Sequence, residues 1–154
     1  MKKVIGFILA AVMVLSMSGI AVLADDAGYD AEKIYVTYND VAIEFDVEPV
    51  LMYDRTLVPI RAVANAFGVS DDDISYDDAT RDIEIKYQGK VIKMTVDSQD
   101  ATVDGVATKI DVPATEIDGR TLVPLRFISE SFDKTVNWFG FGNGADGGFV
   151  VITD

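Results

Sequence analysis

The 154-residue chain has no cysteine and no histidine. Without cysteine there is no disulfide staple and no thiolate metal site, so the folded domain must be held by packing alone. Without histidine there is no imidazole to serve as a general base near neutral pH or as a metal ligand. What remains for catalysis is a pair of carboxylates, as in glycoside hydrolysis, or a serine with a lysine base. Carboxylates are so abundant here that some pair stands at a suitable separation by chance, so they point to no active site, and the chain reads as a non-enzyme. Basic residues are scarce: 13 against 26 acidic ones, a net charge of −13. That field repels phosphate backbones inside the screening length, which excludes nucleic acid as a partner, and it attracts cations.

The N-terminus has the pattern of a secretory leader. Met1-Lys2-Lys3 precedes an apolar run from Val4 to Leu15, and Val22 and Ala24 stand where a signal peptidase reads small residues. The expected leader is 1–24, followed by a linker over 25–32. A membrane anchor is the competing reading, but Ser16, Ser18 and Gly19 weaken the apolar stretch and no stop-transfer charge follows. A lipoprotein would need a cysteine at the cleavage site, so nothing is expected to hold the chain to a membrane once the leader is cut. The leader carries Lys2 and Lys3 and no acid, so the mature chain would have 11 basic residues against 26 acidic ones, net −15. The expected location is secreted or extracellular, with the cell wall as the narrower option. About 130 residues remain, enough for one domain with a modest core.

The most informative element is a repeat. Arg55-Thr56-Leu57-Val58-Pro59-Ile60-Arg61 returns as Arg120-Thr121-Leu122-Val123-Pro124-Leu125-Arg126. In each copy Thr-Leu-Val reads as a short strand, and the proline supplies the fixed φ that opens a helix at its first turn. Ile60, Val63, Ala64 and Phe67, and again Leu125, Ile128, Ser129 and Phe132, fall at i, i+3, i+4 and i+7, so each helix has one stripe to bury. Gly68 suits the end of the first helix. Asp133 suits the second less well, so the following strand is expected to set that end. Period-two patterns predict strands at 74–76 and 136–138, at 82–87 and 149–152, and at 90–96, with hairpins 34–37/41–45 and 101–103/106–110. The prediction is an α+β fold of antiparallel β hairpins with two short helices. A duplicated β-β-β-α-β-β unit, about 33–97 and 98–154, would pack with approximate two-fold symmetry into a single domain over 33–154.

The doubled element, the aspartate turns before it (Asp54, Asp118-Gly119) and the aromatic after each helix (Tyr76, Trp138) resemble the copper amine oxidase N-terminal-like domain, or stalk domain, over roughly Lys33 to Asp154. Glu130 and Gly68 match the family pattern, whereas Asn65 and Asp133 depart from it. The resemblance implies an extracellular, noncatalytic module of the kind found in secreted and surface proteins of Gram-positive bacteria. In the amine oxidases such a domain is an appendage remote from the copper site. Independently, a chain without histidine or cysteine cannot build the imidazole site that copper redox chemistry requires. No cofactor is expected.

Four residues are candidates for ligand binding. Arg61 and Arg126 place a cation in the first turn of a helix, where it opposes the helix dipole. An internal salt bridge explains each, and Arg126 with Glu130 at i, i+4 supplies one; the alternative is a guanidinium held for a carboxylate or sugar. In Trp138-Phe139-Gly140-Phe141, Trp138 is expected in the core. Phe139 and Phe141 point the other way, toward either a buried site against a helix or an exposed patch on a mobile glycine-rich loop suited to a glycan or protein. The runs Asp71-Asp72-Asp73 and Asp77-Asp78, and Asp146 among glycines, offer oxygen ligands of the type calcium takes but lack EF-hand spacing, and no metal is assigned. The expected function is a cell-envelope spacer or adhesion module, with a cell-wall glycan or another surface protein as partner. The alternatives are a soluble glycan- or peptidoglycan-binding protein and a small carboxylate-dependent wall hydrolase.

Overall fold

The computed structural model describes residues 29–142 and 144–154. The expected leader and the first half of the expected linker lie outside them. In chain order the strands are β1 (Ile34–Tyr38), β2 (Val41–Ala42), β3 (Val50–Met52), β4 (Arg55–Pro59), β5 (Ile74–Asp77), β6 (Asp82–Tyr87) and β7 (Lys90–Thr95). Six more complete the set: β8 (Asp100–Val103), β9 (Val106–Lys109), β10 (Thr115–Ile117), β11 (Arg120–Pro124), β12 (Thr135–Gly140) and β13 (Gly148–Thr153). Helix α1 is Ile60–Ala66 and α2 is Leu125–Ser131; Asp71–Asp73 is a 3-10 turn. The described residues therefore form mostly antiparallel sheets with two short helices, the α+β class read from the sequence. They divide into two compact units, Phe45–Lys134 and the described part of Met1–Glu44 with Thr135–Asp154.

Turn chemistry sets much of the strand pairing. Five hairpins close through two residues that both take positive φ: Asn39-Asp40, Tyr53-Asp54, Gln88-Gly89, Asp104-Gly105 and Asp118-Gly119. This is the type I′ geometry, whose twist matches that of the flanking strands. Two of these turns mark hairpins that the sequence pattern did not separate, β3–β4 and β10–β11. Their first strands are only three residues long, too short for alternation to register.

In the unit Phe45–Lys134 the two copies of the repeat lie side by side in one sheet, with order β10-β11-β4-β3. β4 and β11 are antiparallel, and Val58 stands opposite Val123, its own counterpart 65 positions on. Pro59 and Pro124 end their strands in extended conformation, with ψ of 119° and 115°, and serve as N-caps of α1 and α2. Each helix thus starts one residue later than expected, because an extended ψ at proline still belongs to the strand. Both helices end in the same Schellman arrangement. In α1 the N–H of Gly68 donates to Asn65 and that of Val69 to Ala64; in α2 Asp133 donates to Glu130 and Lys134 to Ser129. Asp133, at φ +60°, therefore fills the left-handed position that Gly68 fills at +93°, which corrects the expectation that the next strand would set this end. Lys90 Nζ supports it, donating to the Ser131 carbonyl and, at 2.6 Å, to the Asp133 carboxylate.

Both helix stripes are buried, and the Phe67 and Phe132 rings meet edge to face at 6.3 Å between centroids. Each helix packs on both β4 and β11, over the face that carries Val58 and Val123, while Leu57 and Leu122 are buried with Val112 on the opposite face. Fully burying an aliphatic side chain of this size contributes roughly 1.5 to 3 kcal/mol, so this layer is a leading source of stability. The same unit holds a five-stranded antiparallel sheet, β5-β6-β7-β8-β9, with Ile83, Ile85, Ile92, Met94 and Ala101 on its buried face.

The other unit is a sheet of order β12-β13-β1-β2. Hairpins β12-β13 and β1-β2 occupy the places that β5-β6 and β8-β9 take in the five-stranded sheet. β7 has no counterpart. With no strand between them, β13 and β1 pair directly and in parallel. The two halves of the chain are accordingly unequal: each brings four strands to its helix where three were expected, and the first then carries one strand more than the second.

Candidate functional site

Arg61 and Arg126 are both ion-paired. From the first turn of α1, Arg61 Nη1 donates to Asp71 Oδ1 at 2.7 Å, and Asn65 donates to the same oxygen at 3.2 Å. These bonds, Arg61 first, hold the Asp71 carboxyl below the usual carboxylate range. Arg126 Nη1 reaches Glu130 Oε1 at 3.4 Å, the i, i+4 pair read from the sequence. Each guanidinium is thus countered on its own side of the fold despite its unfavourable place on the helix dipole.

The other two arginines of the repeat carry a pairing that the sequence did not announce. Arg55 donates through Nε and Nη2 to Asp111 Oδ2, at 3.0 and 2.7 Å. Arg120 Nε donates to Asp46 Oδ2 at 2.6 Å. Asp46 and Asp111 are also 65 positions apart, so the arginine of each copy is held by the aspartate of the other. The Asp46 carboxyl lies below its ordinary value because Arg120 bonds to it. Nearby, Arg81 joins the two sheets of this unit: Nη1 donates to Asp97 at 2.8 Å and Nη2 to Glu116 of β10 at 3.0 Å, while Tyr76 Oη of β5 donates to the other Glu116 oxygen at 2.6 Å. Tyr76 and Arg81 lower the Glu116 carboxyl, and the guanidinium, bonded first to Asp97, is pushed up.

Of the aromatic residues, Trp138 is placed differently from expectation and Phe141 takes the buried alternative. Trp138 is 39% exposed, and its ring lies against the backbone at Gly140 and Gly148. Phe139 is half-buried. Phe141 is 5% exposed and belongs to a cluster with Tyr29, Tyr35 and Phe149, with centroids 5.0 to 6.4 Å apart. Phe139 and Phe141 therefore form no shared exposed patch. Phe141 N–H donates to Gly147, whose own N–H donates to Ala31, so the chain is pinned on both sides of the glycine-rich turn. The most exposed large ring among the described residues is Tyr53, 84% exposed at a hairpin tip.

The solvent face of the five-stranded sheet forms an open groove lined by Asp77, Asp82, Glu84, Lys93, Asp100 and Thr102. Its carboxylates are occupied: Glu84 by Lys86 and Lys93, Asp82 by Thr95, Asp100 by Lys109, and Asp77 by the backbone of Ala79 and Thr80. In the acidic run, Asp72 N–H is capped by Ser70 Oγ. No three ligating side chains converge as a metal site among the described residues.

The repeat with its hairpins, the two proline-capped helices and the exchanged ion pairs all fall inside residues 37–142, the stretch that the family model of the copper amine oxidase N-terminal domain matches. The chain belongs to that family. Similarity to curated proteins adds nothing further, since none of them matches. A copper amine oxidase N-terminal domain is a noncatalytic accessory domain. No described helix is long and apolar enough to cross a membrane.

Proposed function

We propose that this chain is a secreted, noncatalytic module of a Gram-positive cell envelope, acting as a spacer or adhesion domain. The observation that carries the reading is the match of a noncatalytic accessory domain across residues 37–142. The leader pattern at Met1 to Ala24 supports export, and the acidic surface suits a protein that must stay soluble outside the cell. Within Phe45–Lys134, two repeat copies sharing one sheet would give such a module a firm core. Its partner is a cell-wall glycan or another surface protein. Contact through a Phe139 and Phe141 patch is disfavoured, since Phe141 is buried.

Fractionation of producing cells into cytoplasm, membrane, wall and medium tests this directly. The expected result is a shortened chain beginning at Asp25, recovered from wall or medium and retained on purified peptidoglycan if it serves in adhesion. Full-length protein confined to the cytoplasm would overturn the proposal.

A further inference from the structure

Strands β1 and β13 are parallel neighbours, with Ile34 beside Gly148 and Tyr38 beside Ile152. Five residue pairs form the ladder, and further bonds lengthen it at both ends. Before β1, Gly147 N–H donates to Ala31 and Gly148 N–H to Lys33. After it, Asn39 N–H donates to Ile152, while Tyr38 Oη and Asn39 Nδ2 donate to the Asp154 carboxylate at 2.7 and 2.8 Å. The close approach at the first end depends on glycine: a Cβ on Gly147 would stand 2.4 Å from both the Ala31 and the Lys33 carbonyl oxygens. The aromatic cluster covers this end as well, with the Tyr35 ring tilted beside that of its partner Phe149 and Tyr29 set edge-on to both.

This pairing fixes how a pull on the chain is felt. β1 begins at one end of the ladder and β13 finishes at the other, so tension between the segment before β1 and the segment after β13 slides the two strands along each other. Every bond of the ladder is then loaded together. Had the pair been antiparallel, the same tension would open it one bond at a time. Resistance to forced unfolding is set by the barrier to the first rupture and not by equilibrium stability. We propose that the β1–β13 pair is a shear clamp that makes this sheet resist tension applied between the start of β1 and the end of β13. The inference rests on the spacer reading above and gives it a mechanical content.

The absence of native cysteine makes the test clean, because handles attach only where cysteines are placed. One form of the full chain carries Glu32→Cys and a cysteine appended after Asp154, which loads the ladder in shear. A second carries Val41→Cys with the same appended cysteine, which pulls from two points at the same end of the ladder and peels it. Denaturant unfolding of both forms confirms equal stability before single-molecule pulling. The shear form is expected to unfold at no less than about twice the force of the peeled form, since several bonds must break at once. Gly147→Ala in the shear form is expected to remove part of that excess. Equal forces in the two geometries would overturn the clamp, and would do so even for a protein found in the wall. Cytoplasmic retention would instead remove the envelope reading and leave a measured force difference standing.

Discussion

The two copies of the repeated element share a sheet, and the differences between them show which demands the fold makes. Backbone geometry is the same in both: strand, proline N-cap, seven-residue helix, Schellman end. Buried volume is nearly the same, with Ile60 answered by Leu125, Val63 by Ile128 and Phe67 by Phe132. Polar detail has drifted. Ala64 is answered by Ser129, Asn65 by Glu130, Gly68 by Asp133, and the turn Tyr53-Asp54 by Asp118-Gly119. Packing tolerates little change because a close-packed interior has no slack. Surface pairs can be exchanged because an exposed ion pair contributes so little to stability.

The largest expected effect breaks both copies equally. Phe67→Ala and Phe132→Ala should each cost roughly 3 to 5 kcal/mol in denaturant unfolding, since each removes one ring of the same edge-to-face pair and leaves a cavity. A large loss at one position with almost none at the other would show that the two helices do not share a core.

Ser129 sharpens the comparison. Its hydroxyl is fully buried without a hydrogen-bond partner, at the place where the first copy has Ala64. Ser129→Ala should leave stability unchanged or raise it by up to about 1 kcal/mol, whereas Ala64→Ser should lower it by roughly 1 to 3 kcal/mol by burying an unpaired hydroxyl. A lowered melting temperature for Ala64→Ser with none for Ser129→Ala is the expected outcome.

The smallest effect concerns the surface carboxylates bonded to arginine. Asp46, Asp71 and Glu116 have carboxyls held below their ordinary values by Arg120, by Arg61, and by Tyr76 with Arg81. A depressed carboxylate stabilises the fold above its unfolded value of about 4, and that contribution is lost as pH falls through the lower folded value. Stability should therefore decline in acid below about pH 4. Arg120→Ala should return the Asp46 titration, followed by NMR, toward the ordinary carboxylate range and leave the melting temperature almost unmoved at neutral pH.

Much of this was legible in the residues because the signals were local. The helix stripes, the 101–103/106–110 hairpin and the strands read at 82–87 and 90–96, the latter ending one residue earlier, arise from short-range periodicity and turn chemistry. The reciprocal use of Asp46 and Asp111 was not legible. Each aspartate stands nine residues before its own copy's arginine, yet it bonds the other's, and no local pattern records that. The parallel pairing of β1 with β13 joins residues more than a hundred positions apart and depends on the lack of a second β7. Trp138 was misplaced, and the burial of Phe141 left undecided, for a different reason. Glycine was read as looseness, whereas Gly147 and Gly148 are there to let the backbone approach β1 and the Trp138 ring.

The register at the centre of the repeat sheet has one more consequence. A pairing in which Val58 meets Val123, its own equivalent, is also the pairing that two identical polypeptides adopt across a dyad. A free segment holding one aspartate, one hairpin and one helix would contain both partners of the exchanged contact and both sides of the helical stripe contact. Two such segments, never covalently joined, would have between them everything this sheet needs to form as a homodimer.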